Sequence, residues 1–190
     1  MLEELKARLR EHEGVVPHLY LDTLSLVTCG VGHMIPSPEA MAGIPMVHPG
    51  GAEASFADKV AEWHRVKLLE PARLPAYYEA NTTLRMTPEA ITALQNEDVD
   101  GFRLGLRSLL PGFDQFPEPA QEALLDMAFQ LGAQGLIDKF PHLIASVKAR
   151  DWQTCAAQCH RAGIQEWRNV ATADLFCRAA DWVAVQRRLS

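Results

Sequence analysis

The chain has 190 residues, of which 48% are hydrophobic and 22% charged, and its formal net charge is −6. This length and composition are typical of a globular protein that can bury one substantial core or two small lobes. The acidic balance argues against a general nucleic-acid binder, because phosphate binding requires a basic surface. No apolar run approaches the roughly 18 residues of a membrane-spanning helix, so we expect no stable membrane insertion.

The beginning of the chain is charged and amphipathic, with leucines at helical spacing. It lacks the apolar segment and small-residue cleavage site of a secretory signal, so we expect synthesis in the cytoplasm without a signal peptide. The four cysteines are therefore expected to be reduced thiols. Cys155 and Cys159 lie beside His160, but the chain offers no second ligand pair at zinc spacing. No metal site is expected.

The first half of the chain alternates between helical and extended patterns. Residues 2–13 predict a helix that Gly14 ends. Residues 15–35 are rich in β-favouring residues and turn glycines, which predicts an antiparallel hairpin or a small three-stranded sheet. Prolines and glycines make residues 36–52 a predicted loop, and a helix is expected over residues 53–70.

The second half predicts mainly helices. After a connection over residues 71–86, Thr87 is a candidate N-cap with Pro88 at the first helical position. The helix that follows is expected to end near Leu109, before a proline-bounded break. Further helices are predicted over residues 122–131, from Pro141 onward, over residues 151–162 with Asp151 as the cap, and over residues 174–188.

These elements predict the α+β class. We interpret residues 1–190 as a single domain of two lobes. One is a β-containing lobe over residues 14–86 with an enlarged loop region. The other is a helical lobe formed by residues 1–13 and 87–190.

The most informative feature is the spacing of Glu13, Asp22 and Thr28. Asp22 follows Glu13 by nine positions, and Thr28 follows Asp22 by six. Hydrolysis of a glycosidic bond requires a proton donor on one side of the sugar and a base or nucleophile on the other. A helix end that faces a short hairpin can hold two carboxyl groups across such a gap. At the C-terminal end of a helix the dipole disfavours an anion, which suits Glu13 to the role of proton donor.

The residues around this trio carry a family resemblance. Leu-Arg-Glu-His-Glu-Gly is followed by Leu-Tyr-Leu-Asp-Thr and by Val-Thr-Cys-Gly-Val-Gly-His. This region resembles the active-site region of the phage-type lysozymes, glycoside hydrolase family 24. Residues 96–100 resemble the inter-lobe helix of that family, and residues 126–132 and 150–152 resemble helices of its C-terminal lobe. The resemblance spans nearly the whole chain, and it implies a lysozyme-like two-lobed fold.

The resemblance also implies a role for each residue of the trio. Glu13 corresponds to the general acid that protonates the departing glycosidic oxygen. Asp22 corresponds to the carboxylate that assists the attack of water on the anomeric carbon, and Thr28 to the hydroxyl that positions this water. The family reaction inverts the anomeric carbon, so we expect the two carboxyl groups to lie roughly 6.5–9.5 Å apart.

Other site residues follow from the resemblance alone. It places Gln130, His33 and Gly32 at the substrate-binding cleft. It also implies that His33 and Asp98 form a structural pair that joins the lobes, and that Arg178 pairs with the acid. Several features depart from the family pattern: the region from residue 36 to residue 85 is longer, an aspartate stands at position 126 instead of an amide, and the net charge is acidic.

The expected function is that of a muramidase, which hydrolyses the β-1,4 bond between N-acetylmuramic acid and N-acetylglucosamine in peptidoglycan. The expected partners are peptidoglycan glycan strands, and no cofactor is required, because two carboxyls and a water suffice. Two alternatives stay open. A peptidoglycan-binding module that has lost catalysis would not need both carboxyls, and a lytic transglycosylase would typically use one glutamate.

Two biological roles are compatible with this chemistry. The protein could be a phage endolysin released with a membrane-permeabilising holin, or an antibacterial effector exported by a non-Sec route and neutralised in the producing cell by an immunity protein. Either role implies action on peptidoglycan in the periplasm or outside the cell.

Overall fold

A computed structural model describes residues 2–189, and it has the predicted α+β composition. The regular secondary structure of these residues consists of helices and one small antiparallel sheet. In chain order the elements are α1 Leu2–Glu13, β1 Val16–Leu21, β2 Val27–Gly30, β3 His33–Met34, α2 Phe56–Lys67, α3 Pro75–Glu79, α4 Pro88–Leu109, α5 Glu118–Leu131, α6 Ala133–Lys139, α7 Pro141–Ala149, α8 Trp152–Gln158 and α9 Glu166–Leu189, with 3-10 helices at Pro38–Gly43 and Phe113–Gln115.

The chain forms two compact units. The β-containing unit is Leu9–Asp98, and the helical unit consists of the described parts of Met1–Arg8 and Val99–Ser190. The division into lobes after residues 13 and 86 stays a prediction. Within the β-containing unit, Arg10 of α1 donates hydrogen bonds to Gln95 Oε1 at 2.7 Å and Thr92 Oγ1 at 2.8 Å. These bonds join the end of α1 to the start of α4.

The sheet has three antiparallel strands in the order β1-β2-β3, which is one of the two arrangements that the sequence predicts. Tyr20 pairs with Thr28 in the β1–β2 ladder, and Thr28 pairs with Met34 in the β2–β3 ladder. Directly paired residues project to the same face of a sheet. The register thus puts Tyr20 and Thr28 side by side on one face.

The region from residue 36 to residue 86 contains more structure than a loop. The predicted helix is present as α2, with a capping box between Ser55 and Asp58. The 3-10 helix Pro38–Gly43 lies in the predicted loop, and α3 lies in the predicted connection. Both begin with a proline, which favours the first turn of a helix, and both are too short to produce a recognisable hydrophobic period.

This region is attached to β1 through α3. His18 Nε2 donates a hydrogen bond to the carbonyl oxygen of Pro75 at 2.9 Å. The rings of Tyr20 and Tyr78 have centroids 6.3 Å apart. Burial lowers the pKa of His18, so the imidazole is neutral at pH 7 and contributes this bond without a buried charge.

A single carboxylate fastens α2 to the segment that leads into α4. Glu62 is only 1% exposed. It accepts hydrogen bonds from the Thr83 amide and hydroxyl and from the Leu84 amide at 2.7–3.1 Å. Arg65 Nη1 lies 2.7 Å from Glu62 Oε2 and balances the charge. The negative charge of Glu62 is therefore satisfied by one cation and three donors.

Several predicted boundaries in the chain are correct. Gly14 ends α1 with a φ of +75°, Thr87 Oγ1 accepts from the Ala90 amide at the start of α4, and Asp151 caps α8 through the Thr154 amide. α4 ends at Leu109, as expected.

Other boundaries in the helical unit were wrong. α5 begins at Glu118, four residues before the predicted start, because Pro119 is tolerated in the first helical turn. α6 was not predicted, and α8 ends at Gln158 instead of residue 162. α9 begins at Glu166, well before the predicted residue 174. Buried polar residues, Arg168 among them, interrupt its apolar stripe and hide the helical period.

Two further expectations concern membrane-spanning helices and the cysteines. Within residues 2–189 no helix has the length and apolar character needed to cross a membrane. All four cysteines are free thiols, as predicted. Burial raises the pKa of Cys155 to about 12 and that of Cys159 to about 11, so both thiols are protonated at neutral pH.

We predict that Glu62→Gln destabilises the fold by about 2 kcal/mol, because it places an amide donor against donors already committed to the carboxylate. Urea denaturation measures the change. The matched control is Glu70→Gln, in which an exposed glutamate loses only a 3.5 Å ion pair with Arg73; its effect should stay within about 0.5 kcal/mol. Equal losses in the two variants would contradict the role of Glu62.

Candidate functional site

Glu13 is the last residue of α1 and lies against the turn between β2 and β3. A Cβ atom placed on Gly32 would be 3.6 Å from Glu13 Cγ and 3.7 Å from Glu13 Oε2. Gly32 has a φ of +72°, which an L side chain rarely adopts. The glycine therefore serves two purposes, since it makes the tight turn and provides the surface on which the Glu13 side chain rests.

Asp22 begins the turn that joins β1 to β2, and its carboxylate is held by that turn. Asp22 Oδ1 accepts hydrogen bonds from the amides of Leu24 and Leu26, each at 2.8 Å. The Asp22 amide donates to the Leu26 carbonyl at 3.1 Å. These bonds use one carboxylate oxygen and fix the side chain, so Oδ2 is the oxygen that remains for chemistry.

Thr28 lies on β2, two residues after that turn. Its hydroxyl donates to the Leu26 carbonyl at 3.1 Å, and the residue is 2% exposed. Because the only hydroxyl proton is engaged, Thr28 Oγ1 is oriented as an acceptor for any further group. A water molecule at this position would have to donate one of its protons to Thr28.

Tyr20 pairs with Thr28 across the β1–β2 ladder, and the sequence analysis did not identify it as a site residue. Burial raises the pKa of its phenol, and the nearby acidic groups of Glu13, Cys29 and Asp22 raise it further. Glu13 and Asp22 therefore act on one hydroxyl although they belong to different elements. The signal in the sequence was the position of Tyr20 in the strand that leads into the Asp22 turn.

His33 and Asp98 form the predicted pair. His33 Nδ1 lies 2.8 Å from Asp98 Oδ1 and 3.0 Å from Oδ2. Both residues belong to the Leu9–Asp98 unit, and their contact ties β3 to α4. That the pair joins two lobes stays a prediction. Substrate binding by His33 and Gly32 stays a prediction.

Gln130 belongs to the helical unit, at the end of α5. Its Oε1 accepts a hydrogen bond from Arg161 Nη1 at 3.0 Å. Arg161 Nη2 also lies 2.8 Å from Asp126 Oδ2, and Arg168 Nη2 lies 3.4 Å from Asp126 Oδ1. This buried charge cluster orients Gln130, whose contact with sugar stays a prediction. Sequence reasoning missed both arginines, although an aspartate inside the apolar run Leu-Leu-Asp-Met-Ala indicates a buried cation nearby.

Arg178 lies on α9 with an exposed side chain. It forms no ion pair within the described part of the helical unit. Its proposed partner Glu13 belongs to the other unit, so the pairing of the two stays a prediction. In residues 2–189 no group of three or more His, Cys, Asp or Glu side chains is arranged to hold a metal ion.

Comparison with known proteins adds no family to these observations. No protein-family model matches the chain, and no curated protein sequence is significantly similar to it. A function for the chain therefore has to be inferred from its own site residues and their geometry.

We predict that the pKa of the Tyr20 phenol responds to the negative charges of both Glu13 and Asp22. With difluorotyrosine in place of tyrosine, the phenols titrate at a pH where the fold survives, and fluorine NMR follows each one. Glu13→Gln and Asp22→Asn should each lower the pKa of Tyr20, because each removes a negative charge that opposes its ionisation. Glu11→Gln, an exposed neighbour on α1, is the control and should leave it unchanged. An unchanged pKa in both site variants would contradict the geometry.

Proposed function

We propose that the chain is a lysozyme-type muramidase that cleaves the β-1,4 bond between N-acetylmuramic acid and N-acetylglucosamine. The observation that carries this proposal is the local geometry of three side chains: Glu13 lies against Gly32, the turn fixes one oxygen of the Asp22 carboxylate, and Thr28 lies on the strand that follows this turn. Two carboxyl groups from separate elements, one at a helix end and one in a hairpin turn, are the minimal set for acid-assisted glycoside hydrolysis. The resemblance to the phage-type lysozymes supports the same reading, including a lysozyme-like two-lobed arrangement.

Glu13 is the proton donor in this mechanism. Its side chain lies against Gly32, and in this mechanism the carboxyl protonates the departing oxygen of a bound sugar. A positioned general acid contributes typically 10²–10⁴-fold to such a reaction. In the family pattern Arg178 would assist by pairing with this acid.

Asp22 and Thr28 together activate the water. A water molecule has two protons, and this site offers two acceptors, Asp22 Oδ2 and Thr28 Oγ1, since their other bonds are taken by the backbone. Donation to both would leave the water lone pairs free to attack the anomeric carbon. As the glycosidic bond breaks, one water proton passes to Asp22 while the Glu13 proton passes to the leaving oxygen. Attack from the face opposite the leaving group inverts the anomeric centre, for which we expect a carboxyl separation of roughly 6.5–9.5 Å.

The substrate is the glycan strand of peptidoglycan, with Gln130, His33 and Gly32 as contacts in the cleft. We place the activity in the periplasm or outside the cell, reached by non-Sec export or by holin-type release. An antibacterial effector of this kind would be accompanied by an immunity protein, whereas an endolysin would not.

The first test is Glu13→Gln, which keeps the shape of the side chain and removes its acidic proton. Clearing of a cell-wall suspension should fall by roughly 10²–10⁴-fold, with an unchanged circular dichroism spectrum. Glu11→Gln, two residues earlier on α1, is the control and should retain full activity. A folded Glu13→Gln variant that clears walls normally would end the assignment.

The second test separates hydrolysis from its alternatives. Asp22→Asn retains Oδ1 and its two backbone bonds but removes the base, so the turn should survive while hydrolysis is lost. Mass analysis of products from purified peptidoglycan should show hydrated reducing ends with the unmodified protein. Anhydro-sugar products, or a fully active Asp22→Asn variant, would indicate a lytic transglycosylase. Binding to walls without any product would indicate a module that has lost catalysis.

A further inference from the structure

A concave site lies in the helical unit and is lined by none of the candidate catalytic residues. It is a cavity of about 600 Å³, which we call the Trp182 cavity. Its lining comes from α4, from α9 and from the segment over residues 114–121 that leads into α5. Its lining includes Trp182, Arg103, Asp114, Phe116, Glu118 and Gln121.

Trp182 gives this cavity an accessible aromatic surface. The side chain is a large apolar group on α9, yet the residue is 50% exposed. Two prolines, Pro117 and Pro119, add apolar surface to the lining. Exposed indole is costly in water, and an aromatic face in a concave site is a typical platform for a flat ligand with an apolar side.

The polar part of the cavity is held in place before any ligand arrives. Arg103 Nη2 donates to Asp114 Oδ1 at 3.3 Å, and Arg107 Nε donates to the same oxygen at 2.9 Å. The pKa of Asp114 is lowered, mainly by its bond with Arg107. Gln121 Nε2 donates to the Phe116 carbonyl at 2.9 Å. Fixed side chains lose little conformational entropy when a ligand binds.

Two hydrogen-bonding atoms of this lining are still unused. Gln121 Oε1 and Arg103 Nε are buried, and neither has a hydrogen-bond partner among residues 2–189. A buried polar atom without a partner costs roughly 1–3 kcal/mol. One of these atoms is an acceptor and the other a donor, so they match a ligand that supplies both kinds of group.

The charged side chains of the lining limit the chemical class of ligand that the Trp182 cavity can bind. The lining contains one cation, Arg103, and two anions, Asp114 and Glu118, so phosphate and other anions are disfavoured. A pyranose ring meets the requirements of this cavity. It is neutral, it has an apolar C–H face for the indole, and its hydroxyls both donate and accept hydrogen bonds. We propose that the Trp182 cavity is a second carbohydrate-binding site, which takes an N-acetylated amino sugar of the glycan strand. The choice of that sugar rests on the proposed function.

The test uses the full chain carrying Glu13→Gln, so that the glycan is not cleaved, and a soluble tetramer of N-acetylglucosamine as the probe. Each tryptophan gives one indole N–H signal in a nitrogen–proton NMR spectrum. Titration should shift the Trp182 signal. Trp182→Ala should weaken binding at this site roughly tenfold, and Trp182→Phe should restore part of it. Trp167→Ala is the matched control, because Trp167 is also 50% exposed on α9 but does not line the cavity.

The outcomes separate this proposal from the proposed function. A Trp182 signal that does not move, or equal binding by the Trp182→Ala and Trp167→Ala variants, overturns the second site and leaves the muramidase assignment to its own tests. A Trp182 shift, combined with the absence of sugar products from peptidoglycan treated with the unmodified protein, refutes hydrolysis and supports the cavity as a glycan-binding site.

Discussion

The turn at Asp22 is the constraint on which the candidate site depends. One carboxylate oxygen binds the amides of Leu24 and Leu26, and these bonds set the register in which Thr28 pairs with Tyr20. A slip of one residue would move Thr28 to the opposite face of the sheet. The same side chain therefore determines the local fold with one oxygen and leaves the other for chemistry, which is why Asn is a more informative replacement than Ala.

Buried charge performs a different task in the helical unit. Asp126 is 2% exposed and lies between Arg161 and Arg168. Such ion clusters often contribute little net stability, because desolvation offsets the attraction. Their geometry is nevertheless specific, and Arg161 uses it to hold the Gln130 amide oxygen. The aspartate at a position where an amide was expected is thus explained by two cations that the sequence analysis did not connect with it.

The region from residue 36 to residue 86 is joined to the site by its packing. The Tyr78 ring contacts Tyr20, and Tyr20 is the residue that both carboxylates influence. Glu62 holds the far end of the same region through the amides of Thr83 and Leu84. A change in this region can therefore reach the site through one aromatic contact, without touching Glu13 or Asp22 directly.

The sequence by itself determined the local features. Gly14, Thr87 and Asp151 marked helix ends because capping and positive φ depend on neighbouring residues. The spacing of Glu13, Asp22 and Thr28 along one short stretch of the chain indicated the candidate site. Only the tertiary structure decided where α9 begins, how the two units divide, and that Arg161 and Arg168 lie against Asp126. Those outcomes depend on burial and on contacts between residues far apart in the chain, which hydrophobic periodicity does not encode.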